Sequence, residues 1–290
     1  MDGGFLSILK PPGMTSHDVV SYIRRTYSIK RVGHAGTLDP AAAGVLPIAI
    51  GQATRLLEYL AADDKSYRVE MTLGYETDTG DDTGSIIEYS TDLCPNRKEI
   101  ERVLFSFIGN IEQVPPMYSA IKVDGKRLYE LARNGVTIER KTRSITISNI
   151  ELLDIVGNRV LFDVACSKGT YIRSLCIDIG RKLGCLATMT FLLRTRVGQF
   201  TVQDSKTLEE LSEGPLEAIV SPDCFIKLPA IELESQQAAA FKNGRTIEYN
   251  TNGKGLFKIY DSVGTFVGIG KKENSIWLKP VKVLSSIKQQ

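Results

Sequence analysis

Only two histidines, His17 and His34, occur in the 290 residues, and neither has a second ligand at metal-binding spacing. The five cysteines, Cys94, Cys166, Cys176, Cys185 and Cys224, are odd in number, far apart and free of any CxxC pair. That excludes a zinc cluster and a disulfide framework and points to a reducing, cytoplasmic setting. No apolar run approaches the ~18 residues needed to cross a bilayer. Residues 1–4 lead straight into a strand-like segment, without the basic and apolar leader of a secreted chain. There is no phosphate-binding glycine loop, and Gly33-His34-Ala35-Gly36 lacks the dinucleotide pattern. A nucleophile elbow is also missing. The acidic run 76–84 looks superficially like a calcium loop, but the bidentate glutamate and the following helix are lacking. The expectation is therefore a reaction without metal or cofactor, run by side chains alone.

What is present is enough chain for one large domain and a small one. Residues 5–9 read as a buried strand stopped by Pro11-Pro12-Gly13, and Thr15 with Asp18 forms a capping box that opens a helix. Residues 45–50 are apolar and strand-like, and 52–60 place Leu56, Leu57 and Leu60 at helical spacing. Residues 65–73 alternate as a strand through Tyr67, Val69 and Met71. Asn96 and Glu99 cap a second amphipathic helix through Ile100, Val103, Leu104 and Phe107, closed by Gly109. Strands over 144–155 and 159–167, a helix over 170–183 capped by Thr170 and ended by Gly184, and a strand over 189–197 follow. Without a strict βαβ rhythm, the expected class is α+β, with a mixed, mainly antiparallel sheet flanked by helices. Near Leu228-Pro229 the pattern shifts to short strands and glycine-rich turns, so the expected domains are 1–228 and a small β-rich module over 229–290.

The most pointed feature is the run Gly33-His34-Ala35-Gly36-Thr37-Leu38-Asp39-Pro40. It sets one carboxylate between glycines and a proline that biases Asp39 toward an extended backbone, with an imidazole five residues earlier. Composition alone favours a plainer reading, a glycine-rich turn with a capping aspartate. Tyr67, mid-strand, reads first as a core tyrosine. Arg173 falls in the first turn of a helix, where a cation opposes the helix dipole, so a buried carboxylate partner is called for. The net charge of +2 announces no polyanion, but between Lys122 and Arg143 seven basic residues face three acidic ones. Tyr118 and Tyr129 lie in or beside this stretch, which reads either as a solvated helix face or as a phosphate-binding surface.

Four stretches then fall into a known order. GHAGTLDPAAAGVLP, KSYRV with TDTGDDTG, PPMYSAIKVDGKRLYELARNG and CSKGTYIRSLCIDIGRKLGC together resemble the TruB family of tRNA pseudouridine-55 synthases. The likeness runs from LKPPGMTS to the final module, which resembles a short PUA-type RNA-binding domain. It departs in detail at Ala41-Ala42-Ala43 and at Leu192-Leu193, which precedes Arg194 where an aromatic often precedes the leucine. The resemblance implies isomerisation of a flipped T-loop uridine, Asp39 as the catalytic aspartate and Arg173 as its charge partner. It implies Tyr67, Tyr171 and Leu192 around the base and His34 just outside. It also implies that an insertion over about 117–145, with Lys122, Lys126, Arg127 and Arg133, grips the RNA backbone. Asp81 is expected as a second partner of Arg173. The implied partner is the tRNA T-arm, with no metal, no cofactor, no membrane and a monomeric, cytoplasmic protein. The competing expectations are a guide-RNA-dependent relative, which carries a fuller C-terminal domain, and a non-catalytic tRNA-binding or folding protein on the same scaffold. A metal-dependent nuclease is more distant.

Overall fold

The computed structural model describes residues 3–60, 64–90, 95–123, 125–213, 219–250, 253–273 and 276–284. Seven strands form the main path of the larger sheet, in the order Gly3–Lys10, Ala43–Gly51, Ala187–Val197, Lys65–Leu73, Arg159–Cys166, Arg143–Val156 and Gly109–Gln113. Two short strands join it: Val32–His34 pairs with Ala43–Gly51, and Phe200–Thr201 pairs with Ala187–Val197. Every pairing on this path is antiparallel except one. The exception is a short parallel seam, Leu193 opposite Ala43 and Arg194 opposite Gly44, and the candidate site forms above it.

Helix Ser16–Thr26 starts where the Thr15 and Asp18 side chains exchange capping bonds. It buries Val19, Val20 and Ile23 against Leu6, Ile8, Leu46, Ile48 and Ile50. Helices Arg97–Phe105 and Ile172–Leu183 join the sheet's other half in one core, with Ile100, Leu104, Leu175 and Ile179 packed with Val69, Met71 and Phe162. Buried aliphatic and aromatic side chains of this kind each contribute about 1.5–3 kcal/mol.

The local expectations need four corrections. The stretch 52–60 is a 3₁₀ turn, Gln52–Leu56, followed by a short helix, Leu57–Leu60. The Arg97 helix stops at Phe105 with Ser106 as its cap, and Gly109 instead opens the next strand. Tyr171, not Thr170, caps helix Ile172–Leu183, because the Thr170 hydroxyl is already donated to the Ser167 carbonyl. The basic stretch is no single helix: it forms a hairpin, Lys122–Val123 with Lys126–Arg127, and a short helix, Leu128–Arg133.

A second sheet runs Ala230–Glu232, Gly255–Tyr260, Phe266–Lys272, Trp277–Val283 and Ile247–Glu248. It has its own core around Ile231, Phe241, Phe257, Ile259, Val267 and Leu278. Its Ile269 packs into a cluster with Phe5, Val45 and Phe200 of the larger sheet. Lys282 bonds Glu58 at 2.7 Å across the same junction.

Candidate active site

The loop carrying Asp39 joins two neighbouring antiparallel strands, Val32–His34 and Ala43–Gly51. Such a loop is free to move unless its backbone is bonded, and here it is bonded from several sides. The buried Ser16 hydroxyl accepts from the Leu38 N–H at 2.9 Å and donates to the Leu38 carbonyl at 3.2 Å. The Gly13 N–H donates to the Pro40 carbonyl at 2.8 Å. Leu38 and Ala42 anchor the loop in the same core as Tyr67, Ile172 and Leu192. Gly36 takes φ +83°, a left-handed turn that suits glycine.

Two buried cations complete the hold. Arg194 donates from Nε to the Val45 carbonyl at 2.8 Å, from Nη2 to Gly36 at 3.0 Å and from Nη1 to Thr37 at 3.3 Å. Lys10 donates from Nζ to Pro11 at 2.8 Å, Met14 at 2.7 Å and Pro40 at 3.2 Å. Burial lowers both from their ordinary values, Lys10 to about 8, while the nearby Asp39 carboxylate pulls each back up. The sequence reading overlooked these two residues. A signal was available: Lys10 shares strand parity with buried Leu6 and Ile8, and Arg194 shares it with Leu192. Gly44 is also demanded here, since a Cβ would sit 2.3 Å from the Arg194 carbonyl oxygen.

Asp39 itself is 38% exposed, and its Oδ2 lies 2.9 Å from Nη2 of Arg173, which is only 6% exposed. Arg173 occupies the first turn of helix Ile172–Leu183, where the dipole disfavours a cation, so its partners have to supply the compensation. They do so with charge and dipoles. Nε faces Asp81 Oδ2 at 3.6 Å, Nη1 donates to the Thr79 carbonyl at 3.1 Å and Nη2 to the Tyr118 carbonyl at 2.8 Å. Asp81 is fixed in turn by the Thr79 and Thr83 hydroxyls, both donating to its Oδ1. The acidic loop is therefore a bracket for a guanidinium, pinned to the central strand by the Asp81–Met189 bridge.

Tyr67 pairs with Arg194 across the sheet, and burial pushes its phenol up to about 12, against the pull of the neighbouring Arg194 cation. Leu192 is buried beside it in the same core. Tyr171 is half-buried, and its backbone is clasped on both sides by the buried Gln113 amide, at 2.8 and 3.0 Å. His34 ends its strand half-buried, and burial with the Arg194 charge lowers its imidazole, so it stays neutral at pH 7.

Lys122, Lys126, Arg127 and Arg133 stand apart from this cluster, all exposed on the hairpin and its helix. Arg127 and Arg133 lie over the Tyr129 ring at 5.8 and 5.4 Å, a cationic and aromatic surface. The structure thus brings Asp39, Arg173, Asp81 and Tyr67 to one place, with the basic arm joined to it through Tyr118.

Three family models cover most of the chain. "TruB family pseudouridylate synthase (N terminal domain)" matches residues 24–172, "tRNA pseudouridylate synthase B C-terminal domain" matches 173–219, and "Pseudouridine synthase II TruB, C-terminal" matches 229–284. The tRNA pseudouridine synthase B of Caldanaerobacter subterraneus subsp. tengcongensis is 48% identical over 274 residues, 93% of this chain and 95% of that one. That of Clostridium perfringens is 44% identical, with the same coverage. Among solved structures, a Cbf5-Nop10-Gar1 complex matches with a TM-score of 0.74 and 30% identity over 97% of this chain and 84% of that chain. An H/ACA RNP bound to a substrate RNA containing 2′-deoxyuridine matches with a TM-score of 0.72 and 28% identity over the same shares. On these matches, the chain belongs to the TruB family of pseudouridylate synthases.

Proposed function

We propose that this chain isomerises uridine to pseudouridine at position 55, in the T-loop of tRNA, with Asp39 as the catalytic group. The observation that carries the reading is the half-open Asp39 carboxylate held at 2.9 Å by a buried guanidinium, with a buried tyrosine in the adjoining core. Similarity over nearly the full length to proteins named tRNA pseudouridine synthase B supports it.

The reaction balances without any co-reactant. The N1–C1′ bond breaks, the uracil turns, C5 joins C1′, the C5 proton leaves and N1 gains one. A T-loop uridine is out of reach while stacked, so it is flipped at a cost of a few kcal/mol. Asp39 attacks the sugar, adds to the base or takes the 2′ proton; each route needs an ionised carboxylate at a fixed position. Arg173 supplies the fixing charge, and Asp81 keeps that guanidinium turned toward Asp39. Tyr67, titrating at about 12, meets the uracil as a neutral phenol with a ring face and one O–H. Tyr171 and Leu192 enclose the base, and neutral His34 occupies the space outside it. Lys122, Lys126, Arg127 and Arg133 take T-arm phosphates, and residues 229–284 form the RNA-binding module that follows a catalytic domain ending at 228. The enzyme works as a cytoplasmic monomer, a reading that its likeness to proteins named tRNA pseudouridine synthase B supports as to location.

The test is release of label from uridine C5 of an unmodified tRNA transcript in EDTA, beside Asp39→Asn. Release by the unaltered protein alone, with pseudouridine at one T-loop position, is expected. Tight tRNA binding with no release would leave a binding protein in place of an enzyme.

A further inference from the structure

Arg194 and Lys10 raise a physical question that loop anchoring does not answer. Both are fully buried, and among the described residues neither has a carboxylate within 4 Å. Each holds three carbonyl oxygens, and Arg194 also bonds the Tyr67 side chain. Neutral donors would hold carbonyls at far lower desolvation cost than a buried cation. The retained charge therefore calls for a nearby anion that it serves without touching, and the carboxylate in position is Asp39, which attracts both cations.

We propose that Arg194 is a positioning residue for the isomerisation: from beneath the loop it fixes the backbone at Gly36 and Thr37, just before Asp39, and, with Lys10, keeps the carboxylate ionised when the flipped base takes its water away. The inference rests on the function proposed above. In the free enzyme Asp39 is 38% exposed and solvent screens its charge. When the base covers it, desolvation favours the neutral acid, and nearby positive charge and hydrogen bonds to the carboxylate oppose that. Arg173 neutralises Asp39 directly but is shared with Asp81 at 3.6 Å, so its charge is divided between two carboxylates. Arg194 is not shared in this way. It is also placed by the parallel seam itself, opposite Gly44 on one side and Tyr67 on the other, so it moves only if the sheet moves.

Other titratable groups face the same centre. Lys10 comes from the first strand, with Asp18 and His17 of the first helix behind it. Tyr67 and Lys65 come from the neighbouring strand, Arg173 from its helix with Asp81 beyond, and His34 from the strand before the loop. Among these, Arg194 is the cation that reaches both the loop carbonyls and the Tyr67 side.

The experiment uses the full chain and compares Arg194→Met and Arg194→Lys with the unaltered protein. The readouts are single-turnover C5 label release across pH 5 to 9, tRNA affinity and thermal unfolding. Arg194→Met is expected to lose about 100-fold in rate with tRNA affinity kept, and its acid limb should move upward by about one pH unit. Arg194→Lys restores the charge but not the three-way reach, so its acid limb should stay near the original while the rate remains about tenfold low. A Met variant that folds but keeps the original rate, or loses rate with an unmoved acid limb, overturns the proposal. Where the Met variant fails to fold, the Lys variant decides: an acid limb displaced upward despite the retained cation overturns it. Should the unaltered protein release no label at any pH, the isomerase reading fails first and this proposal falls with it.

Discussion

The loop carrying Asp39 and the arm carrying Lys122, Lys126, Arg127 and Arg133 both lack extended regular structure, and both meet Arg173, yet they are held in opposite ways. The loop has its backbone bonded by Ser16, Gly13, Lys10 and Arg194, all distant in sequence, and its Leu38 and Ala42 lie in the core. The arm is held mostly by itself. Its Tyr129 N–H bonds the Ser119 carbonyl, its Leu128 N–H bonds the Ile121 carbonyl, and Arg127 and Arg133 rest on its own Tyr129 ring. The difference matches the two tasks proposed for them. A reacting carboxylate gains from order established before substrate arrives, because misplacement by an ångström costs rate steeply. A surface for phosphates gains from reach, and its contacts with water and salt remain exchangeable.

Breaking the loop at its functional end should give the largest effect. Asp39→Asn is expected to cut C5 label release by at least about 10³-fold while tRNA affinity holds, as measured by single turnover and filter binding. A loss of less than tenfold would remove Asp39 from the chemistry. Arg173→Met comes next. It leaves Asp81 buried without its cation, and urea unfolding should show a loss of about 3 kcal/mol, at the low end for a broken buried pair because Asp39 is partly solvated. Unchanged stability would mean that the pair is not a structural element.

Ser16→Ala tests the loop anchor alone. It removes both bonds to Leu38 and should cost about 1–3 kcal/mol, with a fall in kcat of roughly tenfold and little change in KM. Equal changes in kcat and KM would argue that the loop orders only on binding. The arm should behave in the reverse sense. Lys126→Ala with Arg127→Ala should weaken tRNA binding and leave kcat intact, and the slope of log affinity against log salt should drop by just under one for each phosphate no longer neutralised. A salt slope equal to that of the unaltered protein would place the RNA elsewhere.

A last effect concerns pH. Lys10 titrates at about 8 in the fold against 10.5 unfolded, because burial outweighs the attraction of Asp39. Between those values the unfolded chain binds more protons, so this group makes stability rise as pH goes from about 8 to 10.5. Below about 8 its burial carries the full penalty. Lys10→Met should flatten that rise in urea midpoints taken across the range. A rise that persists undiminished would show that Lys10 is not its source.

Much of this was legible wherever the cause was local. The capping pairs Thr15 with Asp18 and Asn96 with Glu99 lie three residues apart and formed as read. Strand Lys65–Leu73 follows its alternation, with Tyr67, Val69 and Met71 buried, and Gly184 ends its helix at φ +77°. The odd placement of Arg173 in a first turn was itself a sign of a buried carboxylate partner, and two carboxylates face it. Thr170 was misread as the cap because a hydroxyl can choose among several carbonyls, and the nearer turn to Ser167 took it.

The sequence by itself determined the alternation and capping of the elements, the glycines that turn the loop and the residue types available for chemistry, since these depend on neighbours a few positions away. Only the tertiary structure decided that Lys10, Ser16 and Arg194, whose partners at the loop lie from 22 to 158 positions away in the chain, converge on one loop and that Gln113 clasps Tyr171. Hydrogen-bond donors and charges carry no address in sequence. Their partners are fixed by strand order and by the parallel seam of the larger sheet, which the packing of both sheet faces selects as a whole.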